Sequence, residues 1–159
     1  MASTQQARIR RLQDTLIIAG GGVIAFGVWS LAKLALFFVF VDESQLRQLL
    51  GLGDSIPMTP LYIAAGIVVL IDLAVRAYVG LSARSEGRGQ KKSPFYLVVA
   101  IFVALLNASS VIAPLFGAPV GLSILDSVVS IVIEATSLTA LVLVIYCSVC
   151  LRRLDKAKG

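Results

Sequence analysis

"LYIAAGIVVLIDLAVRAY", Leu61 to Tyr78, reads as the interior of a lipid bilayer except at Asp72 and Arg76. An ionisable group at membrane depth is costly, so a chain that keeps one must neutralise it or use it. The apolar run around these charges extends from Leu61 to Leu81. A helix crosses a hydrocarbon core about 30 Å thick with about 20 residues, so this run is long enough. Three more runs match it, Leu16 to Val41, Phe95 to Phe116 and Leu122 to Leu151. They are built of Val, Ile, Leu and Ala without alternation of apolar and polar positions, which favours helices over barrel strands. The last run is overlong, and Ser123 and Asp126 near its start suggest that its embedded part begins nearer Val128 or that the helix tilts. The sequence therefore predicts an all-α membrane protein, a single domain over 1–159 with helices at about 14–41, 60–82, 94–116 and 122–152 in an up-down-up-down bundle.

Composition agrees. Hydrophobic residues make up 58% of the 159 and charged residues 14%, far from the roughly 25% charged of soluble domains. The net charge of +5 does not point to nucleic acid, because the basic residues fall between apolar runs rather than along one patch. Their places set orientation instead. "RIRR" at Arg8 to Arg11, "ARSEGRGQKKS" at Ala83 to Ser93 and the terminal "LRRLDKAKG" hold nearly all of them, whereas Val41 to Pro60 has only Arg47 and Pro114 to Gly121 has none. Both termini are expected in the cytoplasm, with the chain multi-pass in the plasma (inner) membrane. The first run exceeds the apolar core of a secretory signal and lacks a small-residue cleavage site, so it is expected to be retained.

Between the first two runs, "DESQLRQLLGLGDSIP" places Leu46, Leu49 and Leu50 at helical spacing. This predicts a short amphipathic helix over about 44–52 on the outer surface, a linker resting in the interface rather than a lid. Arg84, Arg88, Lys91 and Lys92 of the inner connection are candidate contacts for anionic lipid headgroups, although positive-inside retention explains them equally well. "VVLID" at Val68 to Asp72 and "SIVIE" at Ser130 to Glu134 hint at two hairpins descended from one, on too few residues to establish it.

The chain contains no histidine, which excludes histidine-liganded metals, a Ser-His-Asp triad and a histidine proton relay. No metal and no cofactor are expected. "AGGGVIAFG", Ala19 to Gly27, lacks a preceding strand and a phosphate-binding lysine, so its small residues read as a packing surface for a neighbouring helix. Cys147 and Cys150 form a C-x-x-C, a spacing that suits disulfide exchange. Their place at the inner, reducing end of a continuous helix, with no second cysteine pair, favours a packing role.

The remaining polar residues lie at depth. Asp72 sits within about 2 Å of the middle of the second run, and Arg76 about 6 to 8 Å nearer the cytoplasm, free to snorkel. Their i, i+4 spacing also favours an intrahelical pair. Asn107 lies near the middle of the third run, beside the Ala100, Ala104 and Ala108 ridge. Lys33 and Glu134 match in depth, both about 7 to 8 Å into the outer half, which predicts a contact between the first and last helices, and Trp29, one turn before Lys33, can cover the ammonium if it shares that face. Ser123, Ser127, Ser130, Glu134 and Ser137 recur at helical spacing and share one face.

Lys33, Asp72, Arg76, Asn107, Ser127, Ser130, Glu134 and Ser137 thus form a candidate buried polar network or ion path. The first reading gives a non-enzymatic membrane protein acting through helix-helix contacts, as a homo-oligomer or a helper subunit of a larger membrane complex. The second gives a small ion or solute transporter using Asp72 and Glu134, and a thiol oxidoreductase built on Cys147 and Cys150 is a third.

Overall fold

A computed structural model describes residues 2–40, 47, 57–90, 93–112 and 124–156. They form four helices, α1 (Ala2–Phe40), α2 (Thr59–Gly87), α3 (Phe95–Ile112) and α4 (Ile124–Lys156). α1, α2 and α4 contain stretches long and apolar enough to cross a membrane, and α3 is a shorter apolar helix. The expected outer helix over 44–52 lies outside the described residues apart from Arg47, and so do Lys91 and Lys92.

Three boundaries differ from the sequence expectation. α1 begins at Ala2 rather than near residue 14, because "ASTQQARIRRLQDT" contains no Gly or Pro and is rich in good helix formers. α2 continues to Gly87 rather than stopping near 82, and its end is specific. The Gly89 N–H donates to the Glu86 carbonyl at 2.9 Å and the Gln90 N–H to the Ser85 carbonyl at 3.1 Å, the paired bonds of a Schellman cap. That cap needs a left-handed residue, supplied by Gly89 at φ 84. At the other end Pro60 sits in the first turn of α2, where its missing N–H costs nothing. α4 reaches Lys156 instead of ending near 152.

The helices pack as a ring, α1 against α2, α2 against α3, α3 against α4 and α4 against α1. The α1–α2 contact is the most extensive and is made by glycine. A Cβ on Gly20 would come within 2.7 Å of the Gly80 carbonyl oxygen, and one on Gly80 within 2.5 Å of that of Gly20. Farther along, Gly27 faces Leu73 and Arg76, while Gly87 faces Gln13 and Ile17, so the two helices run antiparallel. Close backbone approach of this kind is the packing role expected for the glycine-rich stretch. Gly21 takes no part in it, having no neighbour within 4 Å of its Cβ direction.

The surface is inverted relative to a soluble bundle. Ile18, Val68, Phe102 and Leu105 are each more than 60% exposed, while Arg76, Glu86, Asn107, Ser137 and Ser148 are buried. Between these polar groups lies an apolar core that includes Leu16, Val23, Val79, Ala83, Ala100, Val103, Leu141 and Val144.

Candidate functional site: two polar clusters and an outer ion pair

The first cluster is centred on Arg76. Its Nε donates to Asp72 Oδ2 at 2.8 Å, closing the i, i+4 pair within α2. Its Nη1 donates to Ser137 Oγ on α4 at 2.9 Å, and its Nη2 to Asn107 Oδ1 on α3 at 2.8 Å. Asn107 Nδ2 in turn donates to Ser137 Oγ at 3.2 Å. Arg76 does not snorkel. With three acceptors converging on its guanidinium it stays at depth, only 6% exposed, because leaving would strand Asn107 and Ser137 in a dry interior. Asp72 is the open member of the pair, its side chain 33% exposed.

A third ion pair joins α1 to α4, with Lys33 Nζ donating to Glu134 Oε1 at 3.1 Å. Both side chains are partly exposed. Trp29 does not cover the ammonium. It is 41% exposed, and the cation–π contact among the described residues is instead Arg152 over Tyr96, 5.7 Å from the ring centre.

The second cluster was not anticipated from the sequence. Glu86, in the last turn of α2, receives both of its oxygens' partners from other helices. Arg152 of α4 donates through Nε to Oε1 at 2.9 Å and through Nη2 to Oε2 at 2.8 Å, a bidentate pair. Ser148 Oγ donates to Oε1 at 2.9 Å, and the Tyr96 hydroxyl of α3 lies 2.6 Å from Oε2 and 2.8 Å from Ser148 Oγ. Tyr96 and Ser148 are wholly buried. Three helices are therefore clasped at one carboxylate.

Glu86 had a sequence signal. Arg76, Val79, Gly80, Ala83, Glu86 and Gly87 are the buried residues of α2, recurring every three or four positions, so Glu86 continues the stripe that Arg76 occupies. On α4 the face carrying Glu134 and Ser137 continues through Leu141 and Val144 to Ser148 by the same spacing. Leu141 and Val144 are fully buried, so within the described part of α4 the polar face is interrupted by apolar packing. Ser127 and Ser130 fall in the first turns of α4, but their side chains lie outside the described part.

The other sequence candidates are placed as follows. Arg84 is half-buried beside Gly20 and Arg88 is exposed in the cap of α2. Cys147 is buried in the apolar core and Cys150 is partly exposed, and both are free thiols on one continuous helix. The two acids of the suggested repeat differ in role, since Asp72 pairs within its own helix and Glu134 across helices. Among the described residues no group of His, Cys, Asp and Glu is arranged to hold a metal ion.

Fold and polar clusters together define an all-helical protein with apolar outer faces and ion pairs turned inward. Compared with known proteins, the chain matches no family model, no curated protein and no solved structure.

Proposed function

We propose that this chain is a non-enzymatic integral membrane protein that works through helix-helix contacts, as a homo-oligomer or a helper subunit of a larger membrane complex. In this reading all four helices cross the plasma (inner) membrane up-down-up-down, with both termini in the cytoplasm and the arginine-rich ends facing anionic lipid. α3, at 18 residues, spans about 27 Å and fits the hydrocarbon core with little tilt. The observation that carries the reading is that Arg76 and Glu86, the charges buried deepest, each make hydrogen bonds to side chains of two other helices of this bundle and have a counter-ion within it. A coupling-ion or substrate site keeps such groups available, whereas a structural tie closes them.

Transport is the second reading, favoured by one feature: Asp72, Lys33 and Glu134 are each about a quarter to a third exposed. Purified protein in lipid vesicles separates the two. The structural reading expects no proton, cation or solute flux above empty vesicles, together with self-association or stoichiometric recovery of one membrane partner after gentle crosslinking. Flux that Glu134→Gln or Asp72→Asn abolishes would overturn it.

A further inference from the structure

We propose that the outward face of α1 is a seam for a second copy of this chain, packed through Ile18, Gly21, Ala25 and Val28 and set in register by Arg11 and Asp14. The proposal deepens the homo-oligomer reading above and rests on it. Spacing defines the face. Arg11, Asp14, Ile18, Gly21, Ala25 and Val28 recur at intervals of 3, 4, 3, 4 and 3, which keeps them on one side of a helix. That side is turned away from the bundle, because Leu16, Ala19, Val23 and Gly27 occupy the opposite one and are buried. Arg11, Asp14 and Ala25 are exposed, as are Ile18 at 75% and Val28 at 54%, and no atom lies within 4 Å of the Cβ direction of Gly21.

Two independent observations select another α1 as the occupant. The first is size. At its centre the face is cut down to Gly21 and Ala25, a small-x-x-x-small pair that lets two helix backbones approach closely. The exposed faces of α2 and α3 instead carry large side chains, among them Ile67, Ile71, Phe102 and Leu105. Gly20 and Gly27 already serve the seam with α2, and Gly22 meets Ala140 of α4, so Gly21 alone of these four has no neighbour inside the chain. A glycine within a helix costs about 1 kcal/mol relative to alanine, and close contact with a second helix is what offsets that cost here.

The second observation is charge. Arg11 and Asp14 stand on this face just before the apolar run of α1, and among the described residues neither has an ion-pair partner. Two copies with the same membrane orientation bring their α1 helices together in parallel about a two-fold axis, so the face meets itself. Positions 11 and 14 are then about 4.5 Å apart along the axis, within reach of an arginine side chain. Arg11 of each copy pairs with Asp14 of the other, and the contact is made twice. An anionic lipid would suit Arg11 but would meet Asp14 with a like charge. Exposed pairs of this kind add little affinity, so they fix the register while close packing at Gly21 and Ala25 holds the helices.

The test uses the full chain in neutral detergent. In a Cys147→Ser, Cys150→Ser background, oxidation should join copies covalently through Ala25→Cys or Val28→Cys but not through Phe102→Cys on α3. Self-association of the otherwise unaltered chain, followed by sedimentation, should weaken about tenfold in Gly21→Leu, because two leucines wedge the backbones apart. Position 21 faces open space within one chain, so this variant keeps its helicity. Arg11→Glu should weaken association about fivefold, and Arg11→Glu with Asp14→Arg should restore it. Association indifferent to Gly21→Leu, or cross-linking through Phe102→Cys alone, would overturn this face while leaving the homo-oligomer reading in place. Failure of the double reversal to restore association would overturn the charge pairing. A parent chain that stays monomeric would overturn the second copy as the occupant, and its recovery with a different membrane protein would leave the helper-subunit reading standing.

Discussion

The Arg76 and Glu86 clusters lie about 15 Å apart along α2 and bury opposite charges by opposite means. At Arg76 the cation is buried and its acid, Asp72, is partly open. At Glu86 the anion is buried, with its side chain 7% exposed, and its cation Arg152 is partly open at 29%. Arg76 takes its counter-charge from its own helix and neutral acceptors from α3 and α4. Glu86 takes both its counter-charge and its neutral donors from other helices. The difference teaches that the sign of a buried charge matters less than whether its counter-ion comes from its own helix or from another. The Arg76 cluster can lose its acid and keep every bond it makes to α3 and α4, whereas the Glu86 cluster loses with its counter-ion two of the three bonds that tie it to α4.

The largest expected effect follows from that contrast. Arg152→Met strands a buried carboxylate with only the neutral donors Ser148 and Tyr96, and should destabilise the protein in detergent by about 3 to 5 kcal/mol, read as a lowered unfolding temperature. Asp72→Leu strands Arg76 in the same sense, but Asn107 and Ser137 still accept from the guanidinium, so a loss of about 2 to 3 kcal/mol is expected. If Asp72→Leu proves the more damaging, the ranking by which helix supplies the counter-ion is wrong. Lys33→Met and Glu134→Gln affect a partly exposed pair and should each cost about 1 kcal/mol or less, with the double variant recovering much of the loss. Strict additivity of the two would show that the pair is not coupled. At the bottom of the scale, Cys147→Ser with Cys150→Ser should leave partner recovery and oligomeric state unchanged, and loss of either with the fold retained would favour thiol chemistry.

These two clusters also show what the sequence makes legible. Asp72, Arg76, Lys33 and Glu134 stand out because each interrupts a long apolar run, and matched depth along straight helices is enough to pair Lys33 with Glu134. Asn107 and Ser137 are visible for the same reason, although which of them meets Arg76 is a matter of helix rotation that the linear pattern leaves open. Glu86 is hidden because "SARSEGRG" reads as a charged inner loop, when its stop signal is Gly89 rather than the end of the apolar run. Arg152 is hidden because a basic residue at a helix end already has a sufficient explanation in membrane orientation. Tyr96 and Ser148 carry no charge to draw notice. The place of Trp29 stays open in the sequence because a one-turn spacing brings residues near each other without fixing which way the ring faces.

The central claim is that the buried charges are structural ties closed within this bundle, and the most direct test is a double-variant cycle at Glu86 and Arg152. Unfolding temperature and unfolding free energy would be measured in one neutral detergent for the parent, Glu86→Leu, Arg152→Leu and the double variant. The account predicts that Arg152→Leu is the worse single change, because it leaves Glu86 buried without its cation. It predicts that the double variant is more stable than Arg152→Leu, with a coupling of about 2 kcal/mol or more, because Tyr96 and Ser148 can then satisfy each other at their present 2.8 Å separation. Additive losses, or a double variant less stable than both singles, would contradict it.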